Sequence, residues 1–176
     1  MILNRRALIL GALALGGCAR VPPSPPRGSK PIRLDTAFQG RHVGTGVFRV
    51  TLTGSERHFR ADLDGRVQGD RLTVVEDFFY DDDEEIRLTW VFDRAGQDRW
   101  TGQREDTVGL AEVRELGREI RLSYTVDFAS EGAVTRLGFE DVLYYAPDGR
   151  LINDAIVSRW GLPVGTVRFE MQRISA

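Results

Sequence analysis

The chain has 176 residues, 41% of them hydrophobic and 28% charged, with a formal net charge of −2. That balance suits one globular domain with a substantial core. It argues against nucleic acid as a partner and against electrostatic docking on anionic lipid, since both need a basic surface.

The amino terminus reads MILNRRALILGALALGGC. Arg5 and Arg6 precede an apolar run over residues 7–15, and Gly16 and Gly17 precede Cys18. The run is well short of the roughly 20 residues that span a bilayer. Charge, apolar run and small residues in that order form a secretory signal, expected over residues 1–17. Leu15-Gly16-Gly17-Cys18 resembles the bacterial lipobox. The resemblance implies a lipid on the Cys18 thiol and cleavage just before it. Cys18 is the only cysteine, and acylation removes what would otherwise be an unpaired exported thiol. Ala19 follows it, and by resemblance to enterobacterial sorting this implies the outer membrane, with the domain facing the periplasm.

Residues 19–31 read ARVPPSPPRGSKP. Proline removes backbone donors and favours extended, semi-rigid chain, so residues 18–32 are expected to form a tether. The folded domain is expected over residues 33–176.

From about Gly44 onward the apolar residues alternate. GVFRVTL puts Phe48, Val50 and Leu52 on one side, and RHFRADL does the same with Phe59, Ala61 and Leu63. Period two is the signature of a half-buried strand. In RLTVVEDFFY, Glu76 shares a face with Leu72, Val74, Phe78 and Tyr80. The acidic run that follows, Tyr80 to Glu85, lacks the spaced ligands of a calcium loop and reads as a solvated turn. EIRLTWVF aligns Ile86, Leu88, Trp90 and Phe92, and WTGQRE aligns Trp100, Gly102 and Arg104. EIRLSYTVDF aligns Ile120, Leu122, Tyr124, Val126 and Phe128. In LGFEDVLYY, Asp141 shares a face with Leu137, Phe139, Leu143 and Tyr145. GTVRFEMQRI closes the series with Val167, Phe169 and Met171.

Turn dipeptides separate these runs: Asp64-Gly65, Gly69-Asp70, Ala95-Gly96, Leu116-Gly117, Glu131-Gly132 and Asp148-Gly149. Trp160 and Pro163 interrupt the last runs and read as a corner or plug. About ten short strands with turns between them predict an all-β fold, a single antiparallel up-and-down barrel of the lipocalin or calycin kind. Closure removes the exposed edges, and a barrel of this size can hold one small ligand.

If the apolar faces point inward, Glu76, Arg104 and Asp141 point inward with them. Buried charges must pair or meet a ligand. An interior arginine suits a fatty-acid carboxylate through bidentate contact. The candidate ligand-binding residues are therefore Glu76, Trp90, Arg104, Tyr124, Phe139 and Asp141. A pocket lined by Phe48, Trp90, Tyr124 and Phe139 is expected with them. His42 and His58 lie too far apart in the pattern for a metal site, and no metal is assigned. No serine-hydrolase elbow and no nucleotide-binding glycine motif appears, so no catalytic residue and no cofactor is assigned.

Several residues together carry a family resemblance. They are Phe38-x-Gly40, Gly44-x-Gly46-x-Phe48, Glu76-Asp77-Phe78-x-Tyr80-x-Asp82, Arg87 with Trp90, Trp100-x-Gly102, Asp106-x-x-Gly109-x-Ala111, Asp141, Asn153 and Trp160-Gly161-x-x-x-Gly165. In this order they resemble a family of proteobacterial lipoproteins catalogued as domain of unknown function 3833. The resemblance implies an envelope lipoprotein and carries no activity. The expected function is a lipid-anchored periplasmic barrel that binds an apolar or fatty-acyl-type ligand. Two alternatives are a scaffolding lipoprotein with a filled core and an exposed apolar patch, and a barrel enzyme using Glu76 or Asp141 as a general base.

Overall fold

The alternation runs through ten strands among the residues described by a computed structural model, which are residue 22, residues 24–130 and residues 133–174. The expected signal, Cys18 and the Glu131-Gly132 turn lie outside the described residues. The strands are β1 (Gly40–Val50), β2 (Glu56–Gln68), β3 (Arg71–Tyr80), β4 (Glu85–Gly96) and β5 (Arg99–Gln103), followed by β6 (Ala111–Glu115), β7 (Ile120–Ser130), β8 (Ala133–Tyr145), β9 (Leu151–Arg159) and β10 (Leu162–Arg173). Each pairs antiparallel with the next, and β10 returns to β1, closing an up-and-down barrel. One short helix, α1 (Leu34–Phe38), precedes β1.

The two ends of the barrel differ. At one end, α1 packs under the wall with Leu34, Ala37 and Phe38 buried. The turns β2–β3, β4–β5, β6–β7 and β8–β9 lie at this closed end. The connections β1–β2, β3–β4, β5–β6 and β9–β10, with the end of β7 and the start of β8, surround the opposite, open end. Near the closed end the inward side chains are fully buried and form one core with Leu63, Leu72, Val74, Phe92, Trp100, Val113, Ile120, Leu143 and Met171.

Two glycines of β1 show how closely the wall packs. A Cβ on Gly44 would fall 2.5 Å from the Glu170 carbonyl oxygen, and one on Gly46 would fall 2.2 Å from the Phe59 ring. The Gly-x-Gly of β1 is thus a close-packed entry to the barrel, as its sequence suggests. Gly65 corrects an expectation. Asp64-Gly65 is no turn but lies within β2, with Gly65 paired to Gly40 and to Val74. A Cβ there would come within 1.7 Å of the Phe38 carbonyl oxygen, so glycine is what lets the end of α1 cross the strand.

The expected boundary between tether and domain also shifts. Ile32 is 2% exposed and belongs to the core, and its N–H donates to the Gly117 carbonyl at 2.9 Å. Ser29 is buried as well, and both its N–H and its hydroxyl donate to the Pro26 carbonyl. Leu52 does not continue the inner face of β1, because the strand ends at Val50 and Leu52 sits 93% exposed in the β1–β2 turn. Trp160 is a corner, not a plug. It occupies a two-residue hairpin turn with Gly161, both at positive φ (52° and 77°), and is 85% exposed.

Candidate functional site

Toward the open end, Phe48, Phe59, Phe78, Tyr80, Tyr124 and Phe139 all fall on the inward register, yet they remain half-buried. In a closed wall an inward side chain can be exposed only to the lumen or its mouth. The exposed part of these rings therefore faces the lumen or its mouth, above a filled lower core. Two grooves of about 530 Å³ and about 520 Å³ lie elsewhere, on the outer wall. They are lined largely by outward residues such as Thr45, Val47 and Arg60 in one and Thr89, Val91 and Asp93 in the other. The charged members that line them include Arg60, paired with Asp62, and Arg71, paired with Asp93. The lumen, not the grooves, holds unpaired buried polar atoms, and it is the candidate site.

Aromatic rings build the chamber wall. Tyr124 on β7 stacks on its cross-strand neighbour Phe139 on β8, with centroids 4.9 Å apart and planes 8° apart. Trp90 on β4 meets Tyr124 edge-on at 5.1 Å and stacks on Phe92 at 4.9 Å. Phe59, Phe78 and Phe169 cluster on the other side. The expected lining by Phe48, Trp90, Tyr124 and Phe139 divides between levels. Trp90 is buried with the core, while the other three are inward and half-buried.

Below the rings lies a polar layer. Glu76 on β3 sits between the fully buried Val74 and the half-buried Phe78, and is 8% exposed. Asp141 on β8 sits between half-buried Phe139 and buried Leu143, and is 4% exposed. Arg104 follows β5 at the start of the β5–β6 connection. Its backbone N–H donates to Thr107 Oγ1, and the Thr107 hydroxyl donates back to the Arg104 carbonyl. Its guanidinium lies 5.1 Å from the Trp90 centroid and 5.5 Å from that of Tyr124, within cation–π range. The sequence reading brings Glu76, Trp90, Arg104, Tyr124, Phe139 and Asp141 together, and all six meet in or around this chamber.

Arg104 is paired within the chain. Its Nε donates to Asp106 Oδ1 at 2.6 Å and its Nη2 to Asp106 Oδ2 at 3.0 Å. Asp106 thus takes the Nε/Nη2 edge of the guanidinium, and the Nη1/Nη2 edge makes no further hydrogen bond among the described residues. The remaining Nη1 stands 4.0 Å from Glu76 Oε2, an ionic contact without a hydrogen bond. Asn153 on β9, not foreseen as a site residue, donates from Nδ2 to Asp141 Oδ2 at 2.8 Å. Asp141 Oδ1 and Asn153 Oδ1 are buried with no partner among the described residues.

Burial pushes the Glu76 carboxyl up to about 7; the charge of Arg104 opposes this and the charge of Asp141 adds to it. Burial also pushes Asp141 up to about 7, against the hydrogen bond from Asn153 and the charge of Arg104. Burial raises Tyr124 well above the ordinary tyrosine range, helped by Asp141. The chamber floor thus holds two carboxyls poised near neutrality.

A third buried carboxylate lies at the closed end. Glu115 on β6 accepts at Oε1 from the Leu34 backbone N–H at 2.8 Å and from Trp100 Nε1 at 3.0 Å. Arg33 Nη2 stands 3.1 Å from its Oε2, an ionic contact off the hydrogen-bond line. Glu115 caps the first turn of α1, whose own residue Arg33 at the N-cap provides no side-chain cap. Arg94 stacks over Trp100 at 4.0 Å and donates to Asp35 at 2.6 Å, tying helix to wall. The acidic run also has a structural task. Arg57 stacks on Tyr80 and pairs with Asp82 and Glu84 across the β3–β4 turn.

The fold has counterparts of known structure. The chain is similar to the S-type phycobiliprotein lyase CPES from Guillardia theta, with a TM-score of 0.59 and 13% sequence identity over 81% of this chain and 91% of that one. At that identity the likeness establishes the lipocalin-like fold. No curated protein matches the chain. Residues 12–173 match the family described as Protein of unknown function (DUF3833), so the chain belongs to that family.

Proposed function

We propose that the protein is a lipid-anchored barrel of the bacterial envelope that holds a small apolar ligand, of the fatty-acyl type, in its upper lumen. The observation that carries the binding reading is the half-buried, inward-facing aromatic wall above an incompletely satisfied polar floor. A well-packed interior without a ligand would bury those rings and pair those groups. The anchor rests on the lipobox-like Leu15-Gly16-Gly17-Cys18, and the outer membrane, facing the periplasm, rests on Ala19.

Native mass spectrometry with lipid extraction on the purified full chain tests the binding reading. A reproducible small-molecule mass, lost on Phe139→Ala, is the expected result. A bare chain that takes up nothing from a mixture of fatty acids, fatty alcohols and fatty amines contradicts it. Metabolic labelling with radioactive palmitate tests the anchor: the label is expected on the wild type and absent from Cys18→Ser.

A second reading has one observation in its favour. Leu52, Val134, Trp160 and Leu162 are exposed apolar residues at the open-end hairpins. They fit a scaffolding lipoprotein that docks by its rim, in which case Trp160→Ser would abolish association and leave ligand content unchanged.

A further inference from the structure

Two acceptors of the chamber floor have no hydrogen-bond donor. Asp141 Oδ1 and Asn153 Oδ1 are buried acceptors without partners, and Asp141 is 96% buried by its 4% exposure. Glu76 accepts no hydrogen bond among the described residues, and its nearest cation stands 4.0 Å away. The one cationic group of the floor, Arg104, already has two of its N–H groups committed to Asp106. A ligand carboxylate entering here would add a negative charge beside Glu76, Asp106 and Asp141. It would also leave both orphaned acceptors unpaired, each at a desolvation penalty.

Resting on the ligand-binding reading above, we propose that the floor formed by Glu76, Asp141 and Asn153 receives the N–H-donating end of an amphiphile, a primary amine being the simplest such group, while its apolar chain lies among Tyr124, Phe139 and Phe78. An ammonium group offers three donors and a positive charge. It satisfies Asp141 Oδ1 and Asn153 Oδ1 directly and balances Glu76. Phe78 and Phe139, each two residues from its carboxyl on the same face, continue the path toward the mouth. The elevated carboxyls agree with this. Each is only partly ionised near neutral pH in the empty chamber and ionises further when a cation arrives.

The test titrates the purified full chain with three probes of one chain length: dodecylamine, dodecan-1-ol and dodecanoic acid. Binding is followed by tryptophan fluorescence and native mass. The amine is expected to bind at least about tenfold more tightly than the acid, with the alcohol between them. In the doubly substituted Glu76→Gln, Asp141→Asn chain, amine affinity is expected to fall about tenfold while alcohol affinity holds, which shows that the lumen is intact. Equal or tighter binding of the acid overturns the proposal and leaves the ligand-binding reading standing. So does an amine preference that survives the double substitution. If none of the three probes binds, the ligand-binding reading falls and the proposal falls with it.

Discussion

Glu115 at the closed end and Asp141 in the chamber are both nearly inaccessible, at 6% and 4% exposure, yet the protein surrounds them differently. Glu115 receives two hydrogen bonds and faces Arg33, and through them it fastens α1 beneath the barrel. Asp141 receives one hydrogen bond on one oxygen and none on the other. One carboxylate is a fastening and the other is an open valence. A buried acceptor left unpaired is destabilising, and Asp141 Oδ1, with no ion-pair partner among the described residues, points to something that completes it from outside.

Breaking the fastening should give the largest effect. Glu115→Ala orphans the Leu34 N–H and the Trp100 Nε1–H, and should lower unfolding free energy by about 3–5 kcal/mol in a urea titration. If the loss is below about 1 kcal/mol, the closed end is not held as described.

The chamber should respond to pH in the opposite sense from a stabilising carboxylate. Glu76 and Asp141 bind protons more tightly folded than unfolded, so the folded state holds extra protons between about pH 4 and about pH 7. Stability should therefore fall as pH rises through that window, by a few kcal/mol in all, and level off above it. The charges facing the two groups are Arg104, Asp106, Glu105 and Glu140, and the neighbouring phenol of Tyr124 stays neutral throughout. His42 works the other way. Burial and Arg173 lower its pKa, so its contribution rises with pH through its unfolded value near 6.5. Thermal unfolding from pH 5 to pH 8 measures the sum, and His42→Gln should steepen the fall.

Asp141→Asn should raise stability at pH 8 by about 1–2 kcal/mol, because it removes a poorly paired buried charge and keeps the shape. The matching Glu115→Gln should lower it. Opposite signs sharpen the contrast between the two ends, and equal signs break it. The smallest effect belongs to the open rim. Trp160 sits at positive φ, where a bulky residue is strained, so Trp160→Asn should raise stability by about 0.5–1 kcal/mol.

The barrel and its inward charges were readable because strands alternate strictly. The face shared by Leu72, Val74, Glu76 and Phe78 needs no further information to be assigned. The same rule would also have placed Glu115 with Ala111 and Val113, and Asn153 with Leu151 and Ala155, had those short runs been followed. β6 is a weak signal because it has five residues, and β9 because both of its faces carry apolar residues. What alternation cannot show is pairing across the lumen or around a bend. Asp106 takes up Arg104 from just beyond the end of β5, and nothing in the spacing announces it. Asp64-Gly65 misled for a similar reason. A glycine that makes a turn and a glycine that makes room for another backbone look identical in sequence.

The most direct test of the open-valence account is a carboxyl carbon-13 NMR titration of Glu76 and Asp141, with and without dodecylamine. The account predicts that both titrate near 7 in the free protein, and that both midpoints move down when the amine binds. Midpoints in the ordinary carboxylate range, unmoved by the amine, would contradict it.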